Sequence, residues 1–358
     1  MTGSQDKILI VNPGSSSIKF RLYEGGKILK EGDIVLQGTD FRKATEKLYA
    51  SVKSHGDIKK FAYRVVYGNF KSPRLIDGNL LRELSKLRYF DPLHTDKTIY
   101  IIKFLMHKFK GKHIACFDSY FHRTMPEKSR NYALPPRLSE RYGIKRYGFH
   151  GLAHESLYKD AEKFTGKKYK KVISCQLGSG VSLCAIKNGK SIDTTMGFTP
   201  LEGIMMETRS GDIDPAIIPF LNKKGFSVEK IKNLLERDSG LWGVSGIKNS
   251  KDIVHQRRKN SKAKLAFEMF TYQVRKSIGA YIAALGGVDL IVFGGGISKS
   301  KDVLEKILEN LEEFGIRLDK KKVKKKSPVK ISKGKVDVVV LETDEQKRML
   351  ELAERFFK

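Results

Sequence analysis

The fold is decided by the stretch Ile8-Leu9-Ile10-Val11-Asn12-Pro13-Gly14-Ser15-Ser16-Ser17-Ile18-Lys19-Phe20-Arg21-Leu22, which a Glu24-Gly25-Gly26 turn follows. The chain repeats this arrangement as Val172-Ile173-Ser174-Cys175-Gln176-Leu177-Gly178-Ser179-Gly180-Val181-Ser182-Leu183-Cys184-Ala185-Ile186, with Asn188-Gly189 as the turn. The copies match without a gap, because Asn12 and Gln176 are separated by 164 positions, as are Gly25 and Gly189. An Asn-Gly pair between alternating apolar residues is a strong hairpin signal. Each half therefore opens with strand, turn, strand, turn and strand, which predicts a duplicated α/β protein with a cleft between two lobes.

The remaining elements fit this plan. Apolar residues at helical spacing predict a long helix over 263–285, and a short buried strand is predicted at 288–293. The cluster Gly294-Gly295-Gly296 follows that strand, and a helix is predicted over 301–314. A last strand at 336–341 leads into Thr343-Asp344-Glu345-Gln346, which we interpret as a capping box that opens a C-terminal helix.

Composition indicates a globular protein rather than a disordered or membrane protein. Of 358 residues, 40% are hydrophobic and 30% are charged, and the length allows two domains. No apolar run approaches the about 18 residues that a membrane span needs, and the N-terminus lacks a signal-peptide pattern. Cys116, Cys175 and Cys184 lie in apolar stretches and form no CxxC pair, so we expect them to be reduced and buried. A cytoplasmic location with no membrane partner is the prediction.

The net charge of +29 is unusual and will attract polyanions. The densest run is Lys320-Lys321-Lys322-Val323-Lys324-Lys325-Lys326. It is either a patch for nucleic acid or an acidic partner, or a solvated basic loop. No aromatic residues interleave with these lysines, which counts against a platform for stacking single-stranded nucleic acid. We favour the solvated loop.

Several residue types suit the binding of phosphate. Small residues in Gly14-Ser15-Ser16-Ser17 and Gly178-Ser179-Gly180 let backbone N–H groups approach an anion, and the third glycine cluster precedes a helix. Arg64 and Arg209 lie near apolar residues, where arginine suits bidentate binding of phosphate or carboxylate. Asp118 ends an apolar run and His150 lies in Tyr147-Gly148-Phe149-His150-Gly151. Taken alone, these residues predict only a two-lobed α/β phosphate-binding protein.

Longer motifs in colinear order resemble the acetate kinase family, which belongs to the superfamily of actin, sugar kinases and heat-shock chaperone ATPases. The segment 12–19 resembles the family's first signature, and Arg64-Val65-Val66-Tyr67-Gly68 resembles its HRVVHGG segment. Phe117-Asp118-Ser119-Tyr120-Phe121-His122 resembles FDTAFH, and Arg146-Tyr147-Gly148-Phe149-His150-Gly151 resembles KYGFHG. The most specific match is to MGFTPLEG…TRSG, at 196–203 and 208–211.

The resemblance implies a duplicated actin-like (ribonuclease H-like) α/β fold with two lobes and an interlobe cleft. The first lobe would comprise residues 1–118 completed by a C-terminal helix at 345–358. The second would comprise residues 119–344, with the nucleotide site and the interface of a homodimer. The implied activity is reversible transfer of a phosphoryl group from ATP to acetate, giving ADP and acetyl phosphate, with Mg²⁺ or Mn²⁺ as cofactor.

The family's roles transfer to matching positions of this sequence. The resemblance implies that Arg64 and Arg209 hold the carboxylate and the transferring phosphoryl group, and that His150 donates to the phosphoryl oxygens. Asn12 and Glu345, together with Asp118, would surround the metal ion. An apolar slot for the acetate methyl would be formed by Val66, Leu93, Phe149 and Pro200. The nucleotide side would be lined by Lys19, Gln176, Gly178, Ser179, Gly180, Gly295, Gly296 and Ile297.

The sequence departs from the family's patterns mainly on the nucleotide side. The departing positions are Tyr63, Tyr67, Gln176, Ser179, Glu207, the segment 248–252, the segment 296–300, and 343–346. The alternatives left open are a carboxylate kinase with another donor (pyrophosphate or GTP) or another acid (propionate or butyrate). A different class is a non-catalytic relative that binds nucleic acid through its basic surface, against which the retained Arg64, Asp118, Arg209 and Glu345 argue.

Overall fold

The computed structural model describes residues 7–14, 17–36, 40–68, 70, 72–89, 92–323 and 325–358, with the side chains of 89 and 92–94 left out. The chain divides into two compact units. The first unit contains residues up to Tyr120 together with His150–Ala153 and Asp344–Lys358. The second unit contains Phe121–Phe149 and His154–Thr343.

The first unit is built on a six-stranded sheet. Its strands are β1 (Lys7–Pro13), β2 (Ser17–Glu24), β3 (Lys27–Val35), β4 (Lys60–Val65), β5 (Arg74–Leu75) and β6 (Lys112–Phe117). Its helices are α1 (Phe41–Val52), α2 (Gly78–Lys86) and α3 (Pro92–Lys108), and α13 (Glu345–Phe357) joins them from the far end of the chain. The strand order is β3-β2-β1-β4-β6-β5, with β1, β4 and β6 parallel.

Successive residues of β1 alternate between two hydrophobic cores, as the two faces of a strand require. Leu9 and Val11 belong to the core beneath helices α1–α3. Ile8 and Ile10 belong to a second core that α13 covers with Met349, Leu350, Leu352 and Ala353. The sheet is therefore buried on both faces, which explains the continuous apolar run at 8–11.

The second unit repeats the design with another six-stranded sheet. Its strands are β7 (Lys171–Leu177), β8 (Val181–Lys187), β9 (Lys190–Thr194), β10 (Leu290–Gly294), β11 (Val329–Lys330) and β12 (Asp337–Val340). The order β9-β8-β7-β10-β12-β11 reproduces that of the first sheet, including its parallel and antiparallel pairs. The predicted duplication is confirmed. One detail differs, since Pro13 pairs with Ile18 but Leu177 pairs with Val181, so the first glycine turn is one residue longer.

Short helices and one long helix complete the chain between and after these strands. They are α4 (Glu127–Arg130), α5 (Pro136–Tyr142), α6 (Gly151–Thr165), α7 (Ile217–Lys223), α8 (Val228–Arg237), α9 (Gly240–Ser245), α10 (Ser250–Gln256), α11 (Ser261–Leu285) and α12 (Lys301–Ile307). The long helix predicted at 263–285 is confirmed as α11, which Asn260 caps by accepting from the N–H of Ala263. The three cysteines are free and buried, as predicted.

Three sequence predictions need correction. The predicted strand at 288–293 starts at Leu290, because the Asp289 carboxylate instead accepts from the N–H groups of Lys170 and Lys171. The predicted helix at 301–314 ends at Ile307, and Asn310 adopts a left-handed backbone with φ of 64° that a continuous helix cannot contain. The residue that caps α13 is Asp344 rather than Thr343.

Candidate functional site

Polar side chains meet where the parallel strands of the first sheet end. Asn12 lies near the end of β1, Arg64 near the end of β4, and Asp118 directly after β6. Glu345 is the first residue of α13. Because the carboxyl ends of parallel strands share one edge of a sheet, and ligands bind at that edge in α/β proteins, this is the expected place for a site.

Arg64 is the centre of this group. Its Nε and Nη2 donate to Oδ2 of Asp118 at 3.0 and 2.6 Å, and its Nη1 donates to Oδ1 of Asn12 at 3.2 Å. The Nη1 atom also lies 3.5 Å from Oε2 of Glu345, which accepts from Nδ2 of Asn12 at 2.7 Å. The structure thus brings four predicted site residues, Asn12, Arg64, Asp118 and Glu345, into one connected hydrogen-bond and ion-pair network.

Burial makes this network costly to assemble. Asp118 is fully buried and the Arg64 side chain is 13% exposed. Removing two charges from water costs several kcal/mol per ion, which their attraction often fails to recover. A buried charged group at a strand edge is therefore better explained by a function than by stability.

A second ion pair positions the helix that carries Glu345. Arg21 Nη1 donates to both carboxylate oxygens of Asp344, at 2.8 and 2.6 Å. Asp344 in turn accepts from the N–H of Lys347 and so caps α13. Arg21 and Asp344 were not predicted as site residues, although Asp344 directly precedes Glu345 and Arg21 lies two residues after Lys19.

The structure also describes other predicted residues of the first unit. The ammonium of Lys19 lies 3.9 Å from a carboxylate oxygen of Asp33. Val66 lines a small cavity of about 10 Å³ with Tyr67, Leu84, Leu87, Thr98, Ile99 and others. Leu93 lies in α3, and its side chain lies outside the described residues, as do Ser15 and Ser16 of the first turn. His150 adopts a left-handed backbone with φ of 57°, a strained conformation that clusters at functional sites.

In the second unit, the second glycine turn contacts the third glycine cluster. The N–H of Gly178 donates to the carbonyl of Gly180 at 3.1 Å. Gly295 has φ of +87°, and a Cβ there would lie 2.4 Å from the carbonyl oxygen of Leu177. Only glycine fits this close approach, so the two predicted nucleotide segments meet where β7 and β10 end. Gly296 and Ile297 follow directly.

Gln176 and Thr343 connect these segments to the end of β12. The Thr343 hydroxyl donates to Oε1 of Gln176 at 2.7 Å. A Cβ on Gly294 would lie 2.4 Å from that hydroxyl oxygen. The lack of a side chain at Gly294 therefore lets the ends of β7, β10 and β12 pack closely together. Thr343 therefore supports the glycine turns instead of capping α13.

The segment that carries Arg209 adjoins the second turn. The N–H of Glu207 donates to the carbonyl of Ser179 at 3.2 Å, and Arg209 Nη1 donates to the carbonyl of Pro200 at 3.2 Å. Burial raises the pKa of Glu207, one of the positions at which the sequence departs from the family's pattern. The structure thus brings Ser179, Pro200 and Arg209 into one neighbourhood.

Phe149, the remaining slot residue, is buried, and its carbonyl accepts from Nε2 of His122 at 2.9 Å. The other ring nitrogen of His122 faces the Ser191 hydroxyl at 2.9 Å. Burial lowers the pKa of His122 to about 4, so the ring is neutral near pH 7 and holds Phe149 through a donated hydrogen bond.

A polar cluster beside the segment that contains Pro200 was not predicted from the sequence. Arg146 Nη2 lies 2.7 Å from Oε1 of Glu202, and the Tyr132 hydroxyl contacts the same carboxylate. That hydroxyl also accepts from the N–H of Phe198 at 2.7 Å. Because Tyr132 and Arg146 are far from Glu202 in the chain, no local sequence pattern predicts that these side chains meet.

The donor set of the first unit fits a hard divalent cation. Carboxylate and amide oxygens of Glu345, Asp118 and Asn12 are the ligand type that Mg²⁺ prefers. Within the described residues, no group of three or more His, Cys, Asp or Glu side chains could hold a metal by itself.

Two sheets of the same mixed order, each with a glycine turn at its strand ends, define the duplicated actin-like class of α/β protein. The chain belongs to the acetokinase family, whose model matches residues 29–351. It is 36% identical to the acetate kinase of Campylobacter jejuni subsp. jejuni over 97% of this chain and 98% of that protein.

Solved structures of relatives agree with this assignment. The chain superposes on the acetate kinase of Porphyromonas gingivalis with a TM-score of 0.85 and 31% identity, covering 99% of this chain and 100% of the other. It superposes on a propionate kinase of Francisella tularensis with a TM-score of 0.89 and 30% identity, covering 98% and 99%.

Proposed function

We propose that this protein is a carboxylate kinase that transfers a phosphoryl group reversibly between ATP and acetate, with Mg²⁺ or Mn²⁺ as cofactor. The observation that carries the proposal is the buried group of Asn12, Arg64, Asp118 and Glu345 at the edge of the first sheet. It combines a fixed guanidinium with oxygen ligands for a cation, as phosphoryl transfer requires.

In the forward reaction, a carboxylate oxygen of acetate forms a bond to the γ-phosphorus. The bond from that phosphorus to the bridging oxygen breaks, and ADP leaves. Little covalent chemistry falls to the protein, so its work is to position the reactants and to neutralise charge. Asp118 holds Arg64 in one orientation, and we assign Arg64 and Arg209 to the carboxylate and the phosphoryl oxygens. His150 donates to the same oxygens.

The metal ion, when bound, neutralises the phosphates and orients them. Glu345 and Asn12, with Asp118, would hold it directly or through water. On the nucleotide side, the backbone of Gly178–Gly180 and of Gly295–Ile297 would receive the phosphates and ribose. Gln176 and Ser179 would contribute polar side chains, and Lys19 a cation.

Trapping of the acyl phosphate tests this proposal. Acetate, Mg²⁺-ATP and hydroxylamine are incubated with the protein, and acetohydroxamate is measured as its ferric complex. We expect steady product formation, and a loss of roughly 10³-fold or more in Arg209→Ala. Arg275→Ala is the matched control, because Arg275 is a similarly shielded arginine that pairs with Glu309 instead. Absence of product with every donor would overturn the proposal, and equal losses in both variants would overturn the role of Arg209.

A glycine variant tests the nucleotide side without disturbing the fold. A Cβ on Gly178 would meet nothing nearer than 3.5 Å, which is an ordinary contact. Gly178→Ala should therefore fold normally and bind ATP more weakly, if phosphate approaches this backbone closely. Unchanged affinity for ATP would remove Gly178 from the site.

The second candidate is a related kinase for another acid or donor. The propionate kinase of Francisella tularensis is among the similar structures, and the cavity beside Val66 has room for about one water-sized group. A methylene in an apolar slot changes specificity by about 1–3 kcal/mol. We expect acetate and propionate to react and butyrate to react poorly. Turnover with pyrophosphate or GTP but not with ATP would favour the alternative donor.

The association state and surroundings complete the proposal. The expected homodimer rests on the family to which the chain belongs, and Phe220 and Tyr272 of the second unit, each 59% exposed, are apolar side chains that such an interface could cover. Light scattering after gel filtration measures this directly, and a monomer at micromolar concentration would refute it. The free, buried cysteines agree with a cytoplasmic location. Within the described residues, no helix is long and apolar enough to cross a membrane.

A further inference from the structure

A cavity of about 460 Å³ lies in the second unit beside the basic run. Its wall combines residues from the 3₁₀ turn Ile297–Lys299, helix α12, the segment before β11, and strand β12. The volume falls in the range of sites for small organic ligands, about 300–1,000 Å³. None of the residues given a role in the activity proposed above lines this cavity.

The cavity has a basic rim. Lys299, Lys301, Lys325 and Lys326 line it, and Glu342 is the single acidic residue among its lining residues, which gives a net charge of +3. Lys299 lies 2.9 Å from Glu342, and Lys301 lies 3.4 Å from Glu305. No ion pair is found for Lys325 or Lys326 within the described part of the chain. Their charges are therefore available to an anion that enters the cavity.

The floor of the cavity is apolar. It is formed by Leu304, Val323, Val329 and Val340, each of which is at most 9% exposed. The hydroxyl of Ser327 also lines the cavity, is shielded from solvent, and has no hydrogen-bond partner among the described atoms. A buried hydroxyl without a partner is unfavourable, so a ligand that bonds to it would gain affinity. Inorganic phosphate would use the rim but leave the floor uncovered.

We propose that this cavity binds an organic phosphate, a molecule in which one or more phosphate groups are attached to an apolar or aromatic body. The phosphates would lie against Lys325 and Lys326, and the body against the valine and leucine floor. A nucleic acid or an acidic peptide would supply negative charge for the lysines, but it would not supply a compact apolar group that fits against the enclosed floor. Lys325 and Lys326, the end of the basic run, thereby gain a specific role.

The site is connected to the nucleotide side, and this step rests on the proposed function. Ser298 and Lys299 line the cavity and follow Gly295–Ile297, while Glu342 precedes Thr343, which bonds to Gln176. A ligand that draws Lys299 away from Glu342 would shift both the segment Gly295–Ile297, which precedes Lys299, and Thr343, which follows Glu342. By reciprocity, occupancy of the cavity should change the apparent affinity for ATP, and ATP should change the affinity of the cavity.

The binding test uses 8-anilinonaphthalene-1-sulfonate, an aromatic anion that fluoresces when its rings leave water. We compare Lys325→Glu/Lys326→Glu with the control Lys321→Glu/Lys322→Glu, which changes the net charge equally but lies outside the cavity. We expect the first variant to bind the probe at least about tenfold more weakly and the control to change less than about twofold. Equal weakening in both would mean a diffuse charge effect and would overturn the proposal, as would no weakening in either.

Two further measurements identify the ligand class. Ser327→Ala should fold as well as the parent, because it removes only an unpartnered hydroxyl, and should weaken binding of organic phosphates a few fold. Pyridoxal 5′-phosphate should displace the probe at lower concentration than pyrophosphate. Displacement by pyrophosphate at equal or lower concentration would show that the floor is unused and would overturn the proposal. These results do not depend on phosphoryl transfer, so they remain interpretable if the kinase activity is absent.

Discussion

The ion pair between Arg64 and Asp118 should be strongly coupled, and a double-mutant cycle measures that coupling. The variants are Arg64→Met, Asp118→Asn and the double variant. Arg64→Met leaves a fully buried carboxylate without its guanidinium, which should cost about 3–5 kcal/mol of unfolding free energy. Asp118→Asn keeps an acceptor oxygen for Arg64, whose guanidinium is 13% exposed and still lies beside Glu345. This variant should therefore lose less unfolding free energy, about 2–3 kcal/mol. The double variant leaves neither charge and should cost about as much as the worse single variant, which gives a coupling of about 2–3 kcal/mol.

The assay is urea unfolding followed by far-ultraviolet circular dichroism. Trp242, the only tryptophan of the chain, belongs to the second unit, and its fluorescence before urea is added checks that this unit is folded in each variant. The matched control is the pair of Arg74 and Glu83, whose atoms lie 3.0 Å apart in the same unit but whose side chains are 35% and 45% exposed. That cycle should give less than about 1 kcal/mol. The reasoning from burial would be refuted if the losses of unfolding free energy in Arg64→Met and Asp118→Asn were additive. It would also be refuted if the cycle at Arg74 and Glu83 gave the same coupling energy.

Three further predictions concern pH and backbone. The pKa of buried His122 is lowered to about 4, so the unfolded chain binds more protons between pH 6.5 and 4. As the pH is lowered from 6.5 to 4, the unfolding free energy should therefore fall by about 3 kcal/mol. His122→Asn should flatten this pH dependence, whereas the control His107→Asn, a change at an exposed position, should not. Burial raises the pKa of Glu207, so its ionisation destabilises the folded protein at pH 8 but not at pH 4, where the carboxyl is protonated. Glu207→Gln should therefore raise the unfolding free energy at pH 8 only. An equal rise at pH 4 would contradict this prediction. Gly295→Ala should cost more than about 2 kcal/mol in thermal or urea unfolding, because φ is +87° and the Cβ meets a carbonyl oxygen of β7. Gly296→Ala, with φ of −65° and nothing within 4 Å, should change stability by less than about 0.5 kcal/mol, and equal costs at both positions would show that the contact is misassigned.

The duplicated sheets could be predicted because their signals are local. Apolar runs, glycine turns and the Asn188-Gly189 hairpin lie within a few residues of the strands that they define. The long helix α11 was predicted for the same reason, since its apolar spacing persists over 25 residues. The end of α12 was not predicted, because apolar residues continue past Ile307 and only the backbone of Asn310 reveals the break.

The candidate site could be predicted in its membership but not in its arrangement. Asn12, Arg64, Asp118 and Glu345 each lie in a recognisable motif, yet no spacing rule predicts which atoms meet. The contact of Gly295 with the carbonyl of Leu177 joins parts of the chain that are far apart, and it follows from the parallel pairing of β7 and β10. The same holds for the cluster that supports Pro200, since burial and pairing across long separations decide it rather than local pattern.

The division of the first unit into distant segments has a consequence for biosynthesis. Strands β1, β4 and β6 are translated early, but the helix that covers one of their faces, α13, leaves the ribosome only after the second unit has been made. Until then Ile10 and Ala62 remain open to solvent on a nascent chain, which exposes it to chaperones and to aggregation. Glu345 arrives on that same helix. Folding of α13 therefore closes this core and completes the network of Asn12, Arg64 and Glu345 in the same late step.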